Sequence, residues 1–204
     1  WRCVLEVATE AGAGLIVAGS HGQRLRDVFS LGSVAHGLVT HSDVPILVTH
    51  REDVEITVAA DAPRRLLVGH DGSERADAAV RAAAALLPGS EAVVVGVWET
   101  PEYWVEALGA GTIGPMILSQ HDELSAITLQ HAEAGASLAT QHGLTATAHS
   151  VEAAAGVGNA LLGAAAQHEA HVIVVGTHGY NVIERVVLGA TAHYVVQRAD
   201  RPVL

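Results

Sequence analysis

Residues 172–204 read VIVVGTHGYNVIERVVLGATAHYVVQRADRPVL, and residues 15–47 read LIVAGSHGQRLRDVFSLGSVAHGLVTHSDVPIL. The two align without a gap, residue 15 on residue 172 and residue 47 on residue 204, at a constant offset of 157. Gly19, Gly22 and Gly32 match Gly176, Gly179 and Gly189, while His21, His36, Asp43 and Pro45 match His178, His193, Asp200 and Pro202. Glycine spacing kept through a sequence that otherwise drifts implies a shared backbone shape. Two copies are too few for a solenoid, so the reading is a duplicated domain.

Each copy has the same order of signals. An apolar run (Leu15–Ala18, Val172–Val175) predicts a parallel strand buried on both faces, where polar alternation disappears. A glycine-rich loop follows, then a helical stretch (Gly32–Thr40, Gly189–Arg198), an Asp-x-Pro and a terminal strand (Pro45–Thr49, Pro202–Leu204). Proline suits the first residue of a strand, where its missing N–H costs least.

The second copy extends upstream. Arg65–Val68 predicts a strand, Arg75–Leu87 an Ala-rich helix stopped by Pro88-Gly89, and Ala92–Trp98 another strand. Glu99–Pro115 reads as a Gly/Pro-rich loop, Met116–Gln141 as a helix, Leu144–Val151 as an outer strand and Gly158–Glu169 as a helix. This alternation specifies an α/β fold, a doubly wound five-stranded parallel sheet of order 3-2-1-4-5, complete over residues 65–204. Residues 1–50 supply the C-terminal part of a first copy, and residues 51–64 are the linker; the whole is a tandem duplication with an incomplete first copy. A piece with two strands buries too little surface to fold alone, so it is expected to lean on the second domain, another chain or further sequence. The apolar terminal strands invite aggregation if unpaired. They are expected to pair as an intramolecular pseudo-dimer or as a homodimer.

The totals narrow the classes of partner. The chain has 204 residues and a formal net charge of −11, from 22 acidic and 11 basic residues. Such a charge repels phosphate backbones and argues against DNA or RNA. A small phosphate ligand stays possible, because backbone dipoles bind one whatever the net charge. The single cysteine, Cys3, excludes an internal disulfide and suits a reducing cytoplasm. No apolar run nears the ~20 residues that span a bilayer, and no basic-then-apolar leader opens the sequence, so no membrane partner is expected. Trp1 in place of Met, and Leu204 within a predicted strand, are expected of a piece of a longer protein.

The chemistry is carried by Gly-x2-Gly-x9-Gly-[Ser/Thr]. It runs Gly19, Gly22, Gly32, Ser33 in the first copy and Gly176, Gly179, Gly189 in the second, where Ala190 follows and Thr191 lies one step on. Glycines leaving the carboxyl end of a parallel strand let the backbone take positive φ and come close to a ligand. Successive N–H groups then form an anion-binding concavity. The third glycine opens a helix whose N-terminus adds free donors and partial positive charge. Such a site needs no lysine. The same residues also fit a pair of structural turns, and both readings stand at this point.

Strand, GxxGx9G[S/T] loop, helix and x-Pro-Val-Leu ending together resemble the universal stress protein family in its ATP-binding branch, over nearly the whole chain. The resemblance implies that Gly176, Gly179 and Gly189, with Thr191, hold the nucleotide phosphates. It implies that Asp71, in Gly69-His70-Asp71-Gly72-Ser73, lies beside the adenosine and that Val97 offers its backbone to adenine. The expected ligand is ATP or a related adenine nucleotide, with or without Mg2+. Asp71 has a case of its own, since a carboxylate at a switch point accepts from ribose hydroxyls. Its alternative is an Asx turn capping the following helix.

Two departures from the family pattern matter. Ala190 stands where the family has Ser or Thr, removing a hydroxyl that would donate to phosphate. One hydrogen bond to a charged group is worth about 1.5–3 kcal/mol, and Thr191 points about 100° further round the helix. The first copy keeps Ser33, but nothing in the sequence corresponds to its Asp-bearing strand or its second strand. Among the 13 histidines, His21 and His178 lie in the loop, where either contacts phosphate or braces the turn. His168 and His171 have no HxxxH or cysteine partner, so no metal site is expected.

No Gly-x-Ser-x-Gly elbow, Cys/His pair or P-loop lysine accompanies the loop, and the family it resembles binds nucleotide rather than turning it over. The expectation is a cytoplasmic stress-response protein, not an enzyme, that uses an adenine nucleotide as a regulatory ligand. A scaffold of the same fold with degenerate sites is the alternative, favoured by Ala190; a slow ATPase is the remaining rival.

Overall fold

Leu66, Leu67 and Val68 have no exposed surface. Successive residues of a strand face opposite sides, so a strand buried at every position must be covered on both. The computed structural model, which describes residues 1–21, 31–50, 63–100, 114–177 and 188–204, shows how. The strand is β3 (Arg65–Gly69), paired in parallel with β4 (Glu91–Trp98) on one side and β6 (Val172–Val174) on the other. Beyond β4 lies β5 (Thr145–Glu152), also parallel, so the sheet order is β5-β4-β3-β6.

Four helices clothe this sheet: α3 (Glu74–Leu86), α4 (Gly114–Gln141), α5 (Val157–Gln167) and α6 (Ala190–Arg198). Leu66, Val68, Val94 and Val174 pack with Val80 and Ala83 of α3 and Ala132 and Ala136 of α4. Leu67, Val95 and Ile173 pack on the other face with Leu161 and Ala165 of α5 and Val195 and Val196 of α6. Many of these helix residues are alanine, which lets the helix backbones lie close to the sheet. The start of α3 is fixed locally: Ser73 Oγ accepts from the Ala76 N–H at 3.2 Å, and Glu74 and Asp77 place negative charge in the first turn.

Ahead of this sheet come α1 (Arg2–Glu10), β1 (Ile16–Gly19), α2 (Ser33–His41) and β2 (Ile46–Thr49), with β1 and β2 parallel and Ile16 opposite Ile46. Local geometry recurs between the two aligned stretches. Ile16 N–H donates to Pro45 O at 3.0 Å, as Ile173 N–H does to Pro202 O at 3.0 Å. Positive φ falls at Gly12 (62°) and at its counterpart Glu169 (48°). Where the two units meet, Val48 N–H donates to Val203 O at 2.8 Å and Val203 N–H to Val48 O at 2.9 Å, an antiparallel bridge. Val48 is wholly buried in the core formed with α5 and α6.

The fifth strand is shorter than expected. Of Pro202–Leu204 only Val203 forms a bridge, parallel to Ile173, so residues 65–204 show four full parallel strands rather than five in the order 3-2-1-4-5. Pro202 O and Leu204 still bond to β6, Leu204 N–H donating to Ile173 O at 2.8 Å. Among the described residues no helix is long and apolar enough to cross a membrane.

Candidate functional site

The carboxyl ends of β3 and β6 lie side by side, with Val68 opposite Val174. From β3 the chain passes through α3 to β4 on one side, while β6 occupies the other. The direction of winding therefore reverses between β3 and β6, and such a switch point opens a crevice beyond the strand ends. The loop after β3 carries Asp71, and the loop after β6 carries Gly176.

Asp71 is exposed, and its Oδ1 accepts from the Ser73 N–H at 3.0 Å. This is the Asx turn that the sequence left as an alternative. It engages one carboxylate oxygen, and a carboxylate has two. Between them Gly72 takes φ +81°, and a Cβ there would lie 2.8 Å from the His131 ring. Glycine is required at that position on both counts.

Gly176 is half-buried at the end of β6. A Cβ added there would lie 3.2 Å from the carbonyl carbon and oxygen of Arg75 and 3.4 Å from Ala76 N. Glycine thus lets the β6 loop graze the first turn of α3, next to the Asp71 turn. Positive φ is not the reason: none of Gly19, Gly32, Gly176 and Gly189 has it, which corrects the expectation from the sequence. Gly32 (φ −59°, ψ 147°) and Gly189 (φ −58°, ψ 145°) are extended N-caps instead. Gly22, Gly179 and His178 lie outside the described residues.

The two loops close with the same neck. Gly189 N–H donates to Thr177 O at 2.7 Å, and Gly32 N–H donates to Ser20 O at 2.8 Å. Neither glycine offers a side chain to cap its helix, and no described side chain caps the first N–H groups of α6 or α2. Ser33 and Ala190, the first helical residues, are both exposed, and Thr191 is half-buried. Val97 is half-buried on β4 opposite Val151, two residues past Val95, the partner of Gly69. The structure therefore gathers Asp71, Gly176, Gly189 and Thr191 around the ends of β3 and β6, with Val97 on the adjoining strand. Gly19, Gly32 and Ser33 belong to a separate loop after β1. There Ser20 Oγ lies 3.0 Å from His21 Nδ1, and the buried His21 Nε2 has no partner among the described residues.

The sequence reading missed His70. It is 3% exposed, its Nε2 lies 3.0 Å from Asp77 Oδ1, and its Nδ1 accepts from the Gly72 N–H at 3.3 Å. Its only sequence signal is its place between the glycine that ends β3 and Asp71, which does not set it apart from the other histidines. Also missed was the backbone of Arg75, which matters through proximity rather than residue type.

Two shifted groups lie at the opposite, amino ends of the strands. Burial, helped by Arg65, Arg64 and Arg201, pushes the His171 imidazole below its usual range. The hydrogen bond from Arg201 holds the Asp200 carboxyl below the usual carboxylate range. An apolar cavity of about 420 Å³ adjoins the site, lined by Val39, Pro45, Ala79, Gly176 and Leu204 among others. It touches Arg75 and Gly176 but not Asp71 or Val97, so it is distinct from the crevice at the strand ends. Among the described residues no group of three or more His, Cys, Asp or Glu is placed to hold a metal ion.

A model of the universal stress protein family matches residues 2–50 and 63–204. No curated protein matches the chain in a sequence search. Among solved structures, a universal stress protein from Archaeoglobus fulgidus DSM 4304 has a TM-score of 0.59 at 22% identity, over 98% of this chain and 63% of that one. A putative universal stress protein from Pseudomonas aeruginosa UCBPP-PA14 has a TM-score of 0.57 at 17% identity, over 98% of this chain and 65% of that one. A hypothetical protein whose structure was used to assign its biochemical function has a TM-score of 0.56 at 17% identity, over 69% of this chain and 93% of that one. The chain thus spans less than two thirds of the first two, and at these identities the likeness is one of fold.

Proposed function

The chain belongs to the universal stress protein family, which carries a stress-response role, and on that premise we propose that residues 65–204 bind ATP or a related adenine nucleotide as a regulatory ligand. The observation that carries this reading is the meeting of two loops at the switch point. A Cβ at Gly176 would lie 3.2 Å from the Arg75 carbonyl, so the β6 loop passes close to the first turn of α3, beside the Asp71 turn and in front of an α6 N-terminus with no side-chain cap among the described residues. In this reading the phosphates, with or without Mg2+, lie against the loop of Gly176, Gly179 and Gly189 and against Thr191. The second oxygen of Asp71 takes a ribose hydroxyl, and the Val97 backbone faces adenine. The nucleotide is bound rather than turned over, in the cytoplasm, without nucleic acid or membrane as partner.

Residues 1–50 and 65–204 are in this reading tandem copies arranged as a pseudo-dimer. The recurring hydrogen bonds and the Val48–Val203 bridge support it. The loop of Gly19, Gly22, Gly32 and Ser33 is then a second phosphate loop with its hydroxyl intact.

Calorimetric titration with ATP and with adenosine tests the site. Ala190→Ser restores a donor at the α6 N-terminus and is expected to tighten ATP roughly ten-fold, with adenosine unchanged. Gly179→Val is expected to abolish ATP binding, because a β-branched side chain fills the phosphate space. If Ala190→Ser changes nothing and Gly179→Val binds ATP like the parent, the loop is a structural turn and the phosphates lie elsewhere; if the parent binds no ATP, the scaffold reading takes its place.

A further inference from the structure

We infer that His70 is a positioning residue that holds the Asp71 turn in its ligand-binding shape, so that adenosine affinity falls on acidification; this rests on the nucleotide reading above. The His70 side chain is 1% exposed. Its two ring contacts agree on one protonation state. Nδ1 accepts from the Gly72 N–H at 3.3 Å, and Nε2 lies 3.0 Å from Asp77 Oδ1, which only accepts. A neutral imidazole does both only with its proton on Nε2.

Three links in series then build the turn. They are the His70 ring to Gly72 N–H, the Asp71 carboxylate to Ser73 N–H, and Ser73 Oγ to Ala76 N–H. A second proton on His70 would remove the acceptor and set N–H against N–H across 3.3 Å in a place closed to water. The ring has little room to swing aside, because it lies against Gly135 of α4 with Val94 of β4 alongside. Gly72 would have to move instead, and Asp71 is joined to it directly.

Among the described residues the charged and titratable neighbours are these. From α3 come Asp77 and, 3.7 Å from its other oxygen, Arg81. From α4 comes His131, whose ring covers Gly72, and from the loop itself comes Asp71. The Asp77 carboxylate and the Gly72 N–H hold the ring from its two nitrogens. A ligand that needs the intact turn therefore selects the neutral ring, and protons compete with it.

Adenosine is the probe, since it carries no phosphate that titrates in this range, and calorimetry compares its affinity at about pH 8 and about pH 5.5. Wild-type affinity is expected to fall about ten-fold between the two, the loss of one well-placed hydrogen bond. His70→Asn puts an amide oxygen near the place of Nδ1, and should bind with no pH response. His70→Gln reaches Asp77 but not Gly72, and should bind weakly at both pH values. His131→Gln should keep the response. Equal wild-type affinity at the two pH values overturns the inference, as does a response lost in His131→Gln and kept in His70→Asn. Absence of adenosine binding at about pH 8 is a different failure and sinks the nucleotide reading itself. Should His70→Asn not fold, the wild-type Gly72 amide resonance decides: it must move with the His70 ring titration, and an indifferent Gly72 overturns the inference.

Discussion

His36 of α2 and His193 of α6, which occupy the same place in the two aligned stretches, meet edge to face with ring centroids 5.7 Å apart and planes at 89°. A residue touches its own counterpart where a twofold relation passes between two copies. Val48 and Val203 exchange N–H···O bonds in both directions, the antiparallel pairing that such a relation produces. The proposed pseudo-dimer accounts for both contacts at once. A double-mutant cycle on His36→Ala and His193→Ala, followed by urea unfolding, should give a coupling of about 0.5–1 kcal/mol. Strict additivity would mean that the rings meet without consequence.

Gly19 and Gly176 match in sequence, yet the same substitution should cost them differently. A methyl at Gly176 would sit 3.2 Å from the Arg75 carbonyl, whereas at Gly19 the nearest atom is His21 O at 3.6 Å. Gly176→Ala is expected to destabilise by about 1–3 kcal/mol and to weaken ATP binding. Gly19→Ala should change stability little. Equal effects in thermal melts would contradict the close approach of the β6 loop to α3.

Arg201 ties off the end of α5 and the turn before β6. It is 8% exposed, and its NH1 donates to Ala165 O at 2.9 Å and Ala170 O at 2.6 Å, while Nε and NH2 grip Asp200. Arg201→Ala should cost about 2–3 kcal/mol. Arg201→Lys should recover less than half of it, because an ammonium cannot serve both carbonyls and a carboxylate in one plane. Asp200, with its carboxyl held below the usual range by Arg201, adds stability that is present above about pH 4 and is lost as pH falls through its lowered folded value. Asp200→Asn should remove that acid-dependent increment from denaturant midpoints.

His171 works in a higher pH window. Its Nδ1 accepts from the Arg65 N–H at 2.9 Å, and burial, with Arg65 beside it, holds its imidazole below the usual range. Its folded value lies below its unfolded one, so its contribution is full above about pH 6.5 and drains away as pH falls toward the folded value. Urea midpoints should drop between about pH 7 and about pH 5 in the parent. They should drop less in His171→Asn, whose amide oxygen keeps the bond to Arg65 and takes no proton.

The site was partly legible in the sequence. Gly176 and Gly189 stood out because strand, glycine and helix start follow one another along the chain, Asp71 through the family resemblance and its place after the first strand, and the structure places them around the ends of β3 and β6. The expected positive φ is absent at Gly19, Gly32, Gly176 and Gly189. Spacing reveals that a side chain is unwelcome, but positive φ and close approach leave the same mark. Only the Arg75 backbone beside Gly176 distinguishes them. His70 was passed over because its partners, Gly72, Asp77 and Gly135, come from a turn and two helices.

The sequence alone determined the layering and the local starts and stops. Leu66–Val68 and Val172–Val174 are apolar at every position, which only a strand covered on both faces satisfies, and Ser73 announces α3 through its own hydroxyl. It also aligned residues 15–47 with 172–204 without a gap, the glycine spacing surviving where other residues drift. Tertiary structure decided the rest. It set Val203 against Val48 and brought His36 onto His193. Periodicity and capping are written in neighbouring residues, whereas close approach and pairing depend on groups far apart in the chain, and those meet only once the core is packed.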